Sequence, residues 1–351
     1  MPAPRLVIDL DKIRHNAHTL VGRLGKRGIS VTGVTKATLG SAKIATALLA
    51  AGVKRLGDSR IENIEAMHLA QVPASMTLIR SPMLTQAKRV VRHADISCNT
   101  EIEVIRQLSL EAQKAGRTHG VIIMIELGDL REGIMPDDLM SYVREILKLP
   151  NILFKGIGTN LACRSGVSPD SKNMAILSEL ADSTEATLGL TVEIVSGGNS
   201  ANLEWALSGA EIGRINDLRL GEAILLGRET LHRQSIDGLH TDAITLCAEV
   251  IEAKLKPSMP LGKIAQNAFG EVPPVKDRGL VTQAILAVGQ QDVDPSGLQA
   301  SNAIDVMGAS SDHLILESER VELKVGAEVS FQLNYGALVR AMTSPFVTKV
   351  H

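Results

Sequence analysis

Eight short runs rich in Val and Ile, each followed by a segment of helical period, set the strongest limit on what this chain can fold into. They are residues 29–36 (ISVTGVTK), 54–59 (KRLGDS), 76–81 (MTLIRS), 95–99 (DISCN), 121–127 (VIIMIEL), 153–160 (LFKGIGTN), 192–198 (VEIVSGG) and 211–220 (EIGRINDLRL). Continuously apolar strands that alternate with helices belong to a parallel sheet buried on both faces. Eight such units within about 200 residues predict a closed (β/α)8 barrel, with a doubly wound open sheet as the rival arrangement.

Past about residue 230 the helical segments vanish and period-2 alternation takes over. It runs through 244–256, 279–289, 312–318, 321–326 and 328–339, with Val321, Leu323 and Val325 and then Val329, Phe331 and Leu333 on alternate positions. With room for roughly two domains of ~150 residues, the chain is predicted to be a barrel over 1–230 followed by an all-β domain over 231–351. Helix starts are expected at Ser59 and Thr100, each with a Glu three residues on, and at the Ser-Pro pairs Ser81-Pro82 and Ser168-Pro169.

Composition removes several functional classes. Lys and Arg number 37 against 39 Asp and Glu, without a basic run, and four Phe, two Tyr and one Trp offer no stacking platform. Nucleic acid is therefore not an expected partner. The first apolar stretch is too short for a secretory leader and no run approaches a membrane span, so a cytoplasmic protein without membrane contact is expected. Cys98, Cys163 and Cys247 lie far apart with no CxxC pair, as reduced thiols would. His15 and His18 sit at helical spacing among Leu10, Ile13, Leu20 and Val21, which reads as a solvated helix face, and no metal site is predicted.

In a barrel, function collects at the carboxyl ends of the strands. The first run ends in Lys36, whose neighbours Gly33, Val34, Thr35 and Ala37 are small or apolar. Such surroundings would desolvate an ammonium and lower its pKa toward that of a useful nucleophile or base, unless the side chain snorkels to the surface. The seventh run ends in Ser196-Gly197-Gly198-Asn199-Ser200, a turn whose glycines and hydroxyl can cradle a phosphate. The eighth carries Arg219 inside an apolar strand, where a guanidinium needs a partner. A lysine, an anion cradle and a buried arginine are the parts that hold pyridoxal 5'-phosphate.

Over essentially its whole length the sequence resembles the fold-type III pyridoxal-phosphate enzymes, the alanine racemase superfamily, and within it the amino-acid racemase branch that includes ornithine racemases. GVTKA places Lys36 on the family's Schiff-base lysine, and MIELGDLREGI (124–134) places Arg131 on the arginine near the cofactor's phenolic oxygen. GIGTNLA (156–162) is similar to a family stretch with Asn160 replacing its histidine, GGNSA (197–201) matches the phosphate-binding segment, and Arg219 matches the arginine at the pyridine nitrogen.

The resemblance implies an amino-acid racemase using two bases. Lys36 serves one face, and a tyrosine from the β domain of a partner subunit in a homodimer serves the other. At that tyrosine's position stands Gln290. Tyr142 falls on a barrel helix, which leaves Tyr335, with Asp292 and His313 as further candidates; Tyr335 can equally be a strand aromatic packed beside Phe331. For a basic amino-acid substrate, Glu126, Asp129, Asp292 and Asp294 are the carboxylates considered. Two rivals stay open. A metal-assisted D-threonine aldolase or D-serine dehydratase would use His313, although NYGA (334–337) lacks the second ligand. A non-enzymatic pyridoxal-phosphate carrier would have no need of the β domain.

Overall fold

The computed structural model describes residues 2–267, 269–270, 272, 276–301, 303–318 and 323–351. An amino-terminal strand, β1 (Arg5–Ile8), leads into α1 (Leu10–Gly25). The chain then alternates β2 (Ser30–Val34), α2 (Ala42–Ala50), β3 (Arg55–Asp58), α3 (Ile61–Leu69), β4 (Ser75–Leu78), α4 (Ala87–His93), β5 (Ile96–Asn99) and α5 (Ile102–Lys114). It continues through β6 (His119–Met124), α6 (Leu139–Ile146), β7 (Ile152–Gly158), α7 (Ser171–Leu188), β8 (Ile194–Ser196), α8 (Leu203–Leu207), β9 (Asp217–Leu220) and α9 (Glu222–Leu226). Strands β2 to β9 pair in sequence order, all parallel, and β9 returns to β2, so the sheet closes and the open-sheet alternative falls away. Each of the eight apolar runs overlaps one barrel strand.

The barrel is filled and wrapped by the residues that made its pattern legible. Ile96, Cys98, Ile122, Met124 and Ile194 form one buried cluster. Around it α1 buries Ile13, Asn16, Ala17, Leu20 and Leu24 on one face, each large aliphatic contributing roughly 1.5–3 kcal/mol. Asn16 is fully satisfied there: its Nδ2 donates to the carbonyls of Ile224 and His240 at 2.9 and 2.8 Å, and its Oδ1 accepts from His240 N at 2.7 Å. Gly156 (φ +151°) lets β7 approach β8, since a Cβ there would lie 1.9 Å from the Ile194 carbonyl oxygen.

The helix starts differ from those expected. Helix α3 starts after Arg60 without a side-chain cap, so Ser59 does not fill that place, and Asp58, the last residue of β3, accepts from Arg60 N at 2.9 Å. Helix α5 starts after Glu101 without a side-chain cap, and Thr100 Oγ1 lies instead 3.3 Å from Ser81 Oγ. Pro82 and Pro169 both precede their helices; α7 is opened by a reciprocal pair, Asp170 and Asn173.

The second unit is antiparallel apart from one parallel pair, β1 with the last strand. It holds β10 (Ile244–Pro257), β11 (Leu280–Leu286), β12 (Leu298–Gln299), β13 (Asp305–Ala309), β14 (Leu314–Glu317), β15 (Glu328–Leu333), α10 (Tyr335–Thr343) and β16 (Thr348–Val350). The sheet order is β12-β15-β10-β11-β14-β13, and β1 pairs with β10 and β16. The two compact units are accordingly Leu10–His240, and Met1–Asp9 together with Thr241–His351. The first strand, counted with the barrel in the sequence, lies in the β unit because its backbone pairs there. Val321 and Glu322 of the expected 321–326 strand lie outside the described residues. The 328–339 run is a strand only to Leu333: Asn334 Oδ1 accepts from Ala337 N at 2.8 Å and starts α10, so Tyr335 stands on a helix, not beside Phe331 on a strand. Among the described residues no helix is long and apolar enough to cross a membrane.

Candidate active site

Lys36 opens the tight turn after β2, at the carboxyl end of the barrel. Its neighbours Val34, Thr35, Ala37 and Thr38 are buried, but Lys36 itself is exposed. The burial expected from its apolar flanks does not extend to Lys36. The turn is rigidly held. Thr35 O accepts from Thr38 N and Thr38 Oγ1, both at 2.9 Å. Thr35 Oγ1 donates to Asp58 Oδ2 at 2.7 Å, and Asn63 Nδ2 donates to Asp58 Oδ1 at 3.0 Å. Burial pushes the Asp58 carboxyl above the usual carboxylate range, against the hydrogen bonds from Thr35, Arg60 and Asn63.

On β9, the strand that adjoins β2, Arg219 has the partners its burial requires. Nη1 donates to Ser196 Oγ at 2.5 Å, and Nη2 donates to Thr159 O at 2.7 Å and to Asn160 Oδ1 at 3.3 Å. Ser196 Oγ in turn donates to Asp217 Oδ2 at 2.7 Å.

The turn after β8 is shaped for a close approach. Gly198 (φ +142°) has no room for a side chain, since a Cβ would lie 2.2 Å from Asn202 Oδ1. Asn199 Oδ1 accepts from Ala201 N at 2.8 Å, and Ser200 Oγ accepts from Ala223 N at 3.2 Å, joining this turn to the start of α9. Asn160 lies among donors on both sides. With its oxygen on one side it accepts from Asn199 Nδ2 at 3.1 Å and Arg219 Nη2 at 3.3 Å; with the amide turned over it accepts from Arg131 Nη2 at 2.9 Å. One amide oxygen cannot serve both sets. The strand ends thus hold more donors than acceptors, as a site for an anionic, acceptor-rich group such as pyridoxal phosphate would. Arg131 is also paired through Nε and Nη2 with the carboxylate of Glu132.

The carboxylates considered for a basic substrate are spent on the chain's own backbone. Glu126 accepts from Gly128 N at 2.5 Å, Leu130 N at 3.0 Å and Arg131 N at 3.2 Å. Asp129, fully buried, accepts from the amides of Cys163, Arg164, Ser165 and Val167 at 3.1, 2.8, 3.1 and 3.3 Å. In the β unit, Asp292 accepts from Ser344 Oγ at 2.7 Å, and Asp294 accepts from Ser296 N and Oγ at 3.0 and 2.7 Å. Of the candidate second bases, Tyr335 is half-buried at the first turn of α10, and His313 Nδ1 lies 2.9 Å from Asp312 Oδ1. Gln290 N donates to Ser310 O at 2.9 Å.

Three acids went unnoticed in the sequence: Asp58, Asp217 and Glu222. Asp217 had a usable signal, since it stands two residues before Arg219 and so on the same face of β9. Glu222 begins α9; burial raises its carboxyl pKa, opposed by an ion pair with Arg233 and by the nearby charge of Lys36.

A closed parallel barrel with cations at its strand ends, followed by an antiparallel β unit, defines a known class of two-unit barrel protein. The fold matches the solved alanine racemase of a D-cycloserine-producing Streptomyces lavendulae (TM-score 0.76, 16% identity, 100% of this chain and 97% of that one). It also matches the D-threonine aldolase of Filomicrobium marinum (TM-score 0.74, 17% identity, 97% and 88%). The chain belongs to the family described as alanine racemase, N-terminal domain, which matches residues 8–229. Over its full length it is 39% identical to the ornithine racemase of Acetoanaerobium sticklandii (350 residues, 99% of both chains). It is 40% identical to the lysine racemase of Thermotoga maritima (354 residues, 100% of this chain and 99% of that one).

Proposed function

We infer that this chain is a pyridoxal-phosphate-dependent amino-acid racemase that interconverts the L and D forms of a basic amino acid such as ornithine or lysine. The observation that carries this is the full-length similarity to two racemases of basic amino acids, with a lysine at the end of the first barrel strand. Fold alone does not choose the reaction, since a racemase and an aldolase match it about equally well.

When bound, pyridoxal phosphate supplies an electron-withdrawing system conjugated to the substrate's α-carbon, which acidifies the α-proton. Lys36 holds the cofactor and moves a proton at its Nζ on one face. Gly198, Asn199 and Ser200 would receive the cofactor's phosphate, Arg219 would donate to its ring nitrogen, and Arg131 and Asn160 would serve its phenolic oxygen. Arg219, a donor that keeps its proton, would leave a bound cofactor's ring nitrogen unprotonated, an arrangement that would favour simple return of a proton over elimination. Tyr335 from a partner subunit supplies the second base, in a homodimer whose β unit excludes water from the barrel mouth. Tyr335 is preferred on chemical grounds to Gln290, which cannot act as a base, and to Asp292, which is buried and held by Ser344, with His313 beside Asp312 as the remaining rival.

The test is a panel of single-enantiomer amino acids incubated with enzyme and cofactor in heavy water. Ornithine or lysine should lose optical activity and gain deuterium at the α-carbon. Release of an aldehyde or ammonia without racemisation would overturn the assignment.

A further inference from the structure

Asp217 is a buried acid with no place in the chemistry described above, 3% exposed inside the barrel wall. It stands directly opposite Ser196, in the single register pair that joins β8 to β9. Its Oδ1 accepts from Thr32 Oγ1 at 2.7 Å and from Arg55 Nη2 at 3.2 Å, and its Oδ2 accepts from Ser196 Oγ at 2.7 Å. Four strands, β2, β3, β8 and β9, therefore meet on one carboxylate at the seam where the barrel closes.

The direction of the Ser196 hydroxyl follows from its neighbours. A carboxylate can only accept and a guanidinium can only donate. Between Asp217 Oδ2 and Arg219 Nη1, 2.5 Å away, the hydroxyl has one orientation open to it: it donates downward to Asp217 and presents its lone pairs upward to Arg219. With Nη2 on Thr159 O at 2.7 Å, the guanidinium is held at two nitrogens. Because it is nearly buried, at 7% exposure, it also needs a counter-charge close by.

We propose that Asp217 and Ser196 are positioning residues that, through one directed hydrogen-bond chain, fix Arg219 in the orientation in which it meets the cofactor's ring. The proposal rests on the assignment of Arg219 to the ring nitrogen made above. Neither residue touches the substrate, so their effect must pass through cofactor binding and reach both directions of racemisation equally.

Ser196→Ala is the clean variant, because it cuts the link to Arg219 while leaving Asp217 bonded to Thr32 and Arg55. Asp217→Asn also loosens the barrel seam and is the harsher one. Ser196→Thr restores the hydroxyl, and Ser196 lies beside Gly158, which has no side chain to crowd the added methyl. The measurement is titration of apo-protein with pyridoxal phosphate by absorbance, with thermal unfolding of the same apo-proteins alongside and Arg219→Ala as reference. Loss of a charge-assisted hydrogen bond should weaken cofactor binding about tenfold in Ser196→Ala. The unfolding midpoint of Ser196→Ala should fall by a few degrees and stay above the temperature of the titration, so that the loss of binding is read on folded protein, and Ser196→Thr should bind nearly as the wild type does. If Arg219→Ala weakens binding and Ser196→Ala does not, the chain of bonds is without effect and the proposal falls alone. If Arg219→Ala also binds normally, the assignment of Arg219 falls and takes the proposal with it. Equal weakening in Ser196→Ala and Ser196→Thr would show packing rather than the hydroxyl at work, and would likewise overturn it.

Discussion

Thr35 Oγ1 donates to Asp58 Oδ2 over 2.7 Å with both residues fully buried, so the turn that carries Lys36 is tied to the end of the neighbouring strand. Asp58→Asn can keep this geometry: its Oδ1 still accepts from Arg60 and Asn63 while its Nδ2 donates to Thr35. Asp58→Ala leaves the buried Thr35 hydroxyl and the part-buried Arg60 N and Asn63 Nδ2 without their acceptor and should cost about 1–3 kcal/mol of stability. Chemical denaturation at neutral pH measures both. Asn should be close to the wild type there, because burial raises the Asp58 carboxyl pKa. The folded chain keeps its proton at pH values where the unfolded chain has lost it, so this group's contribution to stability declines as pH rises through the folded value.

The same residue shows where the sequence was and was not legible. Eight strands could be counted because a parallel barrel buries both faces of each strand, which writes an unbroken apolar run. Lys36 and Arg219 stood out as charges at the ends of, or inside, such runs. Asp58 and Asp217 did not, because a strand-end acid looks the same whether it is solvated or holds the next turn; only the fold brings Thr35, Asn63, Thr32 and Arg55 to them. Glu126 and Asp129 read as mouth charges for the same reason, and their backbone amide donors come from loops whose path no spacing reveals. The alternation at 328–339 reads as one strand through Asn334 and Tyr335 until the Asn334 side chain is seen accepting from Ala337 N at the start of α10.

Asp129 gathers four amides of the loop at 163–167. Burial alone would raise its pKa, but those donors together hold it below the usual range. Its stabilising effect is therefore present above the unfolded carboxylate value and lost as pH falls through the folded one. Asp129→Asn should speed amide hydrogen exchange at Cys163–Val167, leaving exchange in the barrel strands unchanged. Unaltered exchange in that loop would mean the amides find other partners.

His119 is buried, with Nε2 2.8 Å from Ser97 Oγ, and burial pulls its pKa down to about 4. The unfolded chain takes up this proton near pH 6.5 and the folded chain does not, so stability should drop as pH falls from about 6.5 toward 4. His119→Gln should flatten this part of the stability curve, removing as much as ~3 kcal/mol of pH dependence. Denaturation midpoints compared at pH 7 and 4.5 decide it; an equally steep curve in the variant would assign the acid sensitivity elsewhere.

Tyr335→Phe should slow the two directions of racemisation unequally when each enantiomer is followed by initial rate and α-deuterium uptake. A two-base enzyme uses one group per face, and this variant deprives one face of its proton donor. Unchanged rates and exchange in both enantiomers would make the phenol structural and turn attention to Asp292 and His313.

Lys36 is the residue on which the assignment of cofactor and chemistry converges. Borohydride reduction of the cofactor-loaded protein, followed by peptide mass spectrometry, should find the reduced cofactor on Lys36. Lys36→Ala should carry no adduct and should lose racemisation in both directions by more than about a hundredfold. An adduct on any other lysine, or undiminished turnover in Lys36→Ala, would contradict the placement of this chemistry at the end of the first barrel strand.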